Sequence, residues 1–338
     1  MTTLWDTTGT AVVKALAAER RSHGSLSSGQ ALTLVVVVEE GRVEEAEQAA
    51  TRAAAEHPCR LLLVVRRRPG APESRLDAEV LIGGRLGPGE AVVLRMYGRL
   101  ALHAESVVLP LLAPDAPVVT WWFGPPPQRI AHDPLGVLAD RRVTDVSLAD
   151  DPLAALRQRA EDYAPGDTDL SWARATAWRA LCAAAFDRAT GTALSATVTG
   201  AAADPARELV AGWLAACLAI EVARQDADGP GIEAVDVDLD DGALRVARSG
   251  LSVALLTGTS RPDRTMPLEP RQLGDLLAEE LRRLDADETY ARALAGATGV
   301  TGLDERSPTR THVWYDPTET ADPDPALAAT DPGPRPPS

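Results

Sequence analysis

Two apolar runs, residues 32–38 and 60–65, constrain this chain more than anything else in it. The first is dominated by β-branched side chains with no polar alternation. A strand of that kind is buried on both faces, as in sheets covered by helices. Between the runs, residues 43–56 are rich in alanine and glutamate at helical spacing. A strand, a helix and a second strand in this order make a βαβ unit with a parallel pair. The chain is thereby committed to a layered α/β arrangement. A short helix over 10–21 precedes the unit.

Residues 76–82 and 91–97 read as strands joined by a glycine-rich turn too short for a crossover helix, so this pair is antiparallel. A helix over 103–112 leads to a strand over 117–123, which Pro125-Pro126-Pro127 stops. The spacing thus predicts an α/β domain with a mixed sheet over 1–150, in which 133–149 is a connection. Helices follow over 151–163, 169–188 and 204–225, each opening on an aspartate, a favoured N-cap residue. In 232–257, Val235, Val237 and Leu239 alternate with Asp236, Asp238 and Asp240, and Asp241-Gly242 suggests a type I′ turn. That turn sets Leu239 against Leu244, Val237 against Val246 and Asp238 against Arg245, one face apolar and the other charged. A strand over 251–256 and helices over 272–284 and 288–295 complete a helical and α+β domain over 151–297. The fold class is therefore α/β in the first domain and α+β overall. From about 298 the pattern fades, and the proline- and acid-rich end reads as disordered.

At 338 residues with 45% apolar content the chain has material for two cores. A net charge of −15 argues against nucleic acid or an anionic membrane as partner. Lys14 is the only lysine among 34 basic residues, a bias that lowers the weight of any single arginine. Cys59, Cys182 and Cys217 lie far apart without zinc or disulfide spacing. No stretch resembles a signal peptide or a membrane span, which predicts a cytoplasmic protein.

The candidate site residues cluster around tryptophan. Trp121, Trp122, Trp172 and Trp178 are four of seven in an aromatic-poor chain. Trp121 and Trp122, adjacent on a strand, point to opposite faces. They also sit near a strand's carboxyl end, where ligands of open α/β sheets bind. In Asp169-x-x-Trp172-x-Arg174-x-x-x-Trp178-Arg179, a continuous helix puts Trp172 and Arg179 on one face and Arg174 with Trp178 on another. Arg179 is then internal and needs a carboxylate, with Asp140 or Asp145 in reach. Arg174 is the more exposed and stacks on Trp178. The segment serves either as a structural wedge between domains or as a partner surface or anion pocket.

Other motifs fail on context. Gly83-Gly84-x-x-Gly87-x-Gly89 joins two strands, whereas a phosphate loop runs into a helix. Asp236, Asp238 and Asp240 lack the glycine and closing glutamate of a calcium loop. His103-x-Glu105 has no P-C-x-x-C partner. There is no G-x-S-x-G, and no set of residues amounts to a catalytic or metal centre.

Four motifs, in order, carry a resemblance. They are Leu4-Trp5-Asp6-Thr7-Thr8-Gly9-Thr10, Pro117-Val118-Val119-Thr120-Trp121-Trp122, Ala139-Asp140-Arg141-Arg142-Val143-x-Asp145, and the Asp169 to Arg179 segment. Across roughly residues 4 to 300 the chain resembles the glucose-6-phosphate dehydrogenase assembly protein family, OpcA, in its actinobacterial form. The resemblance implies a non-enzymatic protein without cofactor or metal. Such a protein binds glucose-6-phosphate dehydrogenase, promotes its active oligomer and supports the oxidative pentose phosphate pathway. Trp121, Trp122, Asp140, Arg141, Asp145, Asp169, Trp172, Arg174, Trp178 and Arg179 are then partner-binding or interdomain residues. Cyanobacterial relatives are associated with thiol redox control; the apolar setting of Cys182 and Cys217 argues against carrying that over. The competing reading is an enzyme or sensor that takes a sugar phosphate at the Trp121-Trp122 strand end, with Arg174 or Arg179 on the phosphate. A third is purely structural, with both motifs in the core.

Overall fold

The computed structural model describes all residues except 24–30, 84–85, 87–88, 188, 260–261 and 315–338. A short strand β1 (Thr2–Leu4) and helix α1 (Gly9–His23) come first. The long apolar run is β2 (Leu32–Glu39), buried from Leu32 to Val38. Helix α2 (Val43–Glu56) turns Ala46, Ala49, Ala50, Ala53 and Ala54 inward, small enough to bring its backbone close to the sheet. Strand β3 (Cys59–Arg67) runs parallel to β2, with Leu63 opposite Val36. Strands β4 (Arg75–Ile82) and β5 (Glu90–Tyr97) are antiparallel, as the short turn requires. The Gly83 N–H donates to the Gly89 carbonyl at 2.9 Å across that turn; Gly84 and Gly87 lie outside the described residues.

The expected helix over 103–112 shrinks to one turn, α3 (Glu105–Val108), followed by a 3₁₀ turn. Pro110 explains this, since it brings no N–H to a helical ladder. Strand β6 (Val118–Phe123) is parallel to β2, with Trp121 opposite Val36. After α4 (Pro134–Val137), the stretch read as a connection holds a further strand, β7 (Arg141–Thr144). Helix α5 (Pro152–Glu161) leads to β8 (Asp167–Asp169). The first sheet has the order β1-β4-β5-β3-β2-β6-β7-β8 and so continues beyond residue 150 to Asp169. One face packs on α2, the other on α1 and α3.

The expected helix over 169–188 is two helices, α6 (Leu170–Arg174) and α7 (Thr176–Phe186). The break is at Ala175, whose N–H is shared between the Ser171 and Trp172 carbonyls at 3.1 Å. Next come β9 (Ala193–Gly200) and α8 (Pro205–Leu218). Helix α8 stops short of the expected residue 225 because Ala219 turns left-handed at φ 55°, and β10 (Val222–Asp226) takes up the remainder. As expected, Asp151, Asp169 and Asp204 cap α5, α6 and α8 through their side chains.

Strands β11 (Ile232–Leu239) and β12 (Gly242–Arg248) form the expected hairpin in a different register. Leu239 faces Gly242, Val237 faces Leu244 and Asp236 faces Arg245, so the two-residue turn is Asp240-Asp241. The shift is an even number of residues, so each side chain keeps its face. Strands β13 (Val253–Gly258) and β14 (Arg264–Pro267) complete a second sheet of order β10-β9-β11-β12-β13-β14.

Helices α9 (Leu273–Leu281) and α10 (Glu288–Thr298) follow. Helix α10 lies so close to α8 that a Cβ on Gly296 would meet the Gly212 carbonyl oxygen at 2.6 Å. Helix α9 instead returns to the first sheet, adding Leu276, Leu277 and Leu281 to the core under α2. Beyond α10 the chain has no helix or strand up to Trp314, yet against the expected disorder this stretch is anchored; the rest of the expected tail, 315–338, lies outside the described residues. The Arg306 guanidinium donates to the carbonyls of Ala160, Glu161 and Tyr163 at 2.9–3.0 Å, and Arg310 pairs with Asp162 and Asp167. Among the described residues no helix is long and apolar enough to cross a membrane.

Candidate functional site

Strand alternation sends the two β6 tryptophans apart, as the sequence implies. Trp121 is fully buried on the α2 face, edge-on to Phe123 at 5.1 Å, with its indole N–H unpartnered. Trp122 lies on the other face and donates its indole N–H to Asp133 at 3.1 Å. Asp133 also takes both terminal nitrogens of Arg66, at 2.9 and 2.8 Å, and the Leu135 N–H. Burial pushes this carboxyl up, but the Arg66 charge and the hydrogen bonds overcome that and hold it below the usual carboxylate range.

The remaining candidates gather where β7 and β8 meet α6, α7, α9 and α10. The expected pairing of Arg179 with Asp140 or Asp145 is not what forms. Arg174 takes Asp145 in a two-pronged ion pair at 2.7 Å on both prongs. Asp140 is exposed and accepts the Val118 N–H at 2.8 Å, fixing the start of β6. Arg179 lies flat over the Trp172 ring, 3.5 Å from its centroid, and donates to the Thr176 hydroxyl at 2.7 Å. Arg174 does not stack on Trp178; the neighbouring cation there is Arg248, 5.7 Å from the ring. Arg179 thus keeps the Trp172 face that helical spacing gives it, and finds the ring there in place of a carboxylate.

Around this pair the charged groups are matched, although the Arg141 Nε, Arg179 Nε and the Thr168 and Ser171 hydroxyls are buried without a hydrogen-bond partner. The Trp172 indole donates to Asp287 at 2.9 Å, the N-cap of α10. Arg141 is buried and donates to Glu280 at 2.5 Å and to the Asp285 carbonyl at 2.9 Å. Burial pushes the Glu280 carboxyl up against the opposing pull of Arg141. Asp169 has no arginine. It accepts from the Thr144 hydroxyl and the Val146 and Ser171 N–H groups at 2.7–2.9 Å, and burial with nearby Asp145 pushes it up. Trp178 fills the second core. Trp122 thus belongs to the strand-end region, whereas Arg141, Asp145, Asp169, Trp172, Arg174, Trp178 and Arg179 meet at a joint between the two sheets.

The strand-end region holds residues that sequence reasoning passed over. A cleft of about 860 Å³ opens there, and Arg66, Arg67, Arg68 and Arg129 line it with Trp122. Neither Arg174 nor Arg179 lies along it, so neither reaches a phosphate placed at this strand end. The available signal was three arginines directly after a buried parallel strand, obscured by a composition in which arginine is common.

The cysteines are free: Cys59 and Cys182 are buried, with thiols pushed up to about 12 by burial, and Cys217 is exposed. The aspartates of β11 have protein partners, Asp236 pairing with Arg245 at 2.5 Å and Asp238 accepting from Ser195 at 2.6 Å.

Two family models match in succession. The glucose-6-phosphate dehydrogenase subunit N-terminal domain of the OpcA family covers residues 50–161, and its C-terminal domain covers 165–294. The chain belongs to the OpcA family. The first OpcA match takes in β6 and β7, and the second takes in α6 and α7, so the two halves of the joint come from the two family domains. No curated protein matches the chain. Among solved structures, an oxidoreductase from Sinorhizobium meliloti is similar at 11% identity and TM-score 0.44, over 82% of this chain and 98% of that one. Levoglucosan dehydrogenase in complex with NADH and L-sorbose is similar at 10% identity and TM-score 0.41, over 83% of this chain and 98% of that one. At these values neither likeness carries an argument about chemistry.

Proposed function

We propose that this chain is a non-catalytic assembly factor that binds glucose-6-phosphate dehydrogenase in the cytoplasm and favours its active oligomer. It would thereby support the oxidative pentose phosphate pathway and NADPH supply. The observation that carries this reading is the pair of consecutive OpcA domain matches spanning residues 50 to 294. The loop between β2 and α2 supports a role without dinucleotide chemistry. It reads Glu39-Glu40-Gly41-Arg42, carboxylates where a pyrophosphate would meet the helix N-terminus. An activator of this kind works by binding the active form of its partner more tightly than the inactive one.

Trp5 is the contact we assign to that partner. It is 69% exposed on a firmly held turn just after β1. Asp6 is left-handed at φ 45°, its N–H donates to Asp77 at 2.9 Å, and the Thr7 N–H donates to the Leu76 carbonyl at 2.8 Å. An exposed tryptophan on a rigid turn loses little freedom on docking, and such residues dominate interface energies. Steady-state kinetics of the same organism's dehydrogenase, titrated with the purified chain, test the reading. Activation that saturates, and that Trp5→Ala shifts to about tenfold higher concentration without lowering the melting temperature, is the expected result. A flat titration would overturn the assembly role; unchanged activation by Trp5→Ala would remove this surface alone.

A further inference from the structure

The strand-end cleft has the position and size of a small-molecule site, at the carboxyl ends of β2, β3 and β6 with about 860 Å³ of space. Trp122 and Phe123, buried on opposite faces of β6, border the cleft with Arg42 over the Phe123 ring at 4.1 Å, and Pro125, Pro126 and Pro127 supply its apolar side. Two of the four lining arginines are already occupied. Arg66 is held by Asp133, and Arg67 by Glu40 at 3.3 Å and the Tyr97 hydroxyl. Arg68 and Arg129 are exposed and have no carboxylate partner among the described residues. Arg68 also adopts a left-handed φ of 42°, held there by the Ala71 and Gly98 N–H groups on its carbonyl at 2.9 and 3.2 Å. A non-glycine residue pinned in that conformation is strained, and strain of this kind concentrates at ligand sites. Glu39, the register neighbour of Arg66 on the adjacent strand, is exposed and likewise without a cationic partner among the described residues.

We propose that this cleft binds a small phosphorylated polyol. Arg68 and Arg129 take the phosphate, Glu39 accepts from hydroxyl groups, and the carbon skeleton lies against Pro125, Pro126 and Pro127. Arginine pairs with phosphate through charge-assisted hydrogen bonds, whereas an acidic rim suits hydroxyl donors and repels a second phosphate. The polarity therefore selects a monophosphate over a dinucleotide. The site is separate from the Trp5 surface and does not depend on the assembly role.

Calorimetric titration of the full chain alone, with glucose 6-phosphate as probe, tests the proposal without the dehydrogenase. Glucose, inorganic phosphate and NADP serve as comparison ligands. Saturable binding of glucose 6-phosphate is expected, at least about tenfold tighter than each of the other three. Arg68→Gly removes the guanidinium and relieves the left-handed strain, so it should weaken binding about tenfold or more with no loss of melting temperature. Gly41 also lines the cleft, and a Cβ there meets nothing within 4 Å, so Gly41→Trp should block the site while the chain stays folded. No binding by the wild-type chain, equal binding of inorganic phosphate, tighter binding of NADP, or binding that both variants leave unchanged would each overturn the proposal.

Discussion

The joint between the two sheets and the cleft at the strand ends are both rich in arginine, yet they use it in opposite ways. At the joint, Arg141 and Arg174 each find a buried carboxylate and Arg179 finds a ring face, so the charges are consumed in holding β7 and β8 to the helices behind them. At the cleft, Arg66 and Arg67 are consumed in the same way, but Arg68 and Arg129 are left over. What separates the two regions is therefore the partner count, and the number of arginines says little.

The largest effect expected from this contrast is at Glu280. Glu280→Ala leaves Arg141 buried and unpaired, and should cost about 3–5 kcal/mol in urea unfolding. Glu280→Gln keeps an acceptor for the Arg141 guanidinium but not the charge, so it should cost less than Ala and still be measurable. A negligible loss for Glu280→Gln, which removes the charge and keeps the shape, would break the picture of a charge-matched joint. Next in size, Arg174→Ala uncovers Asp145 and should cost roughly 1–3 kcal/mol, the penalty for an unsatisfied buried group. Its side chain is 31% exposed, so the low end of that range is the better expectation.

Asp133 gives the comparison a pH axis. Its folded pKa lies below the ordinary 3.8, so its contribution is complete above about that pH and is lost as acid takes the pH down through the folded value. The stability gap between the wild type and Asp133→Asn should be full at neutral pH and close below pH 3.8. A gap that persists unchanged in stronger acid would assign the effect to packing. The smallest effect concerns thiols. Iodoacetamide at pH 8 should label Cys217 alone in the folded chain, since burial holds Cys59 and Cys182 at about 12. Labelling of Cys182 before unfolding would show that the joint opens.

Much of the fold was legible because burial on both faces leaves a continuous apolar run, as in β2 and β3. Strand β7 was not. Only one of its four residues, Val143, is apolar, and Arg141 and Arg142 are buried through ion pairs that no local pattern reveals. The hairpin of β11 and β12 kept its faces and lost its register, because an alternating pattern cannot distinguish shifts of two residues. Within the joint the residues were recognisable and their pairing was not, since a helical wheel shows which face an arginine takes and not which carboxylate the packing brings to it. Arg68 escaped notice because being unpartnered is a tertiary property.

The most direct test of the assembly role is the mass of the dehydrogenase, measured by mass photometry at dilutions where its oligomer dissociates. Adding the purified chain should shift the distribution to the larger, active species with the chain bound, in proportion to the activity gained. A distribution identical with and without the chain, at saturating concentration, would contradict the account.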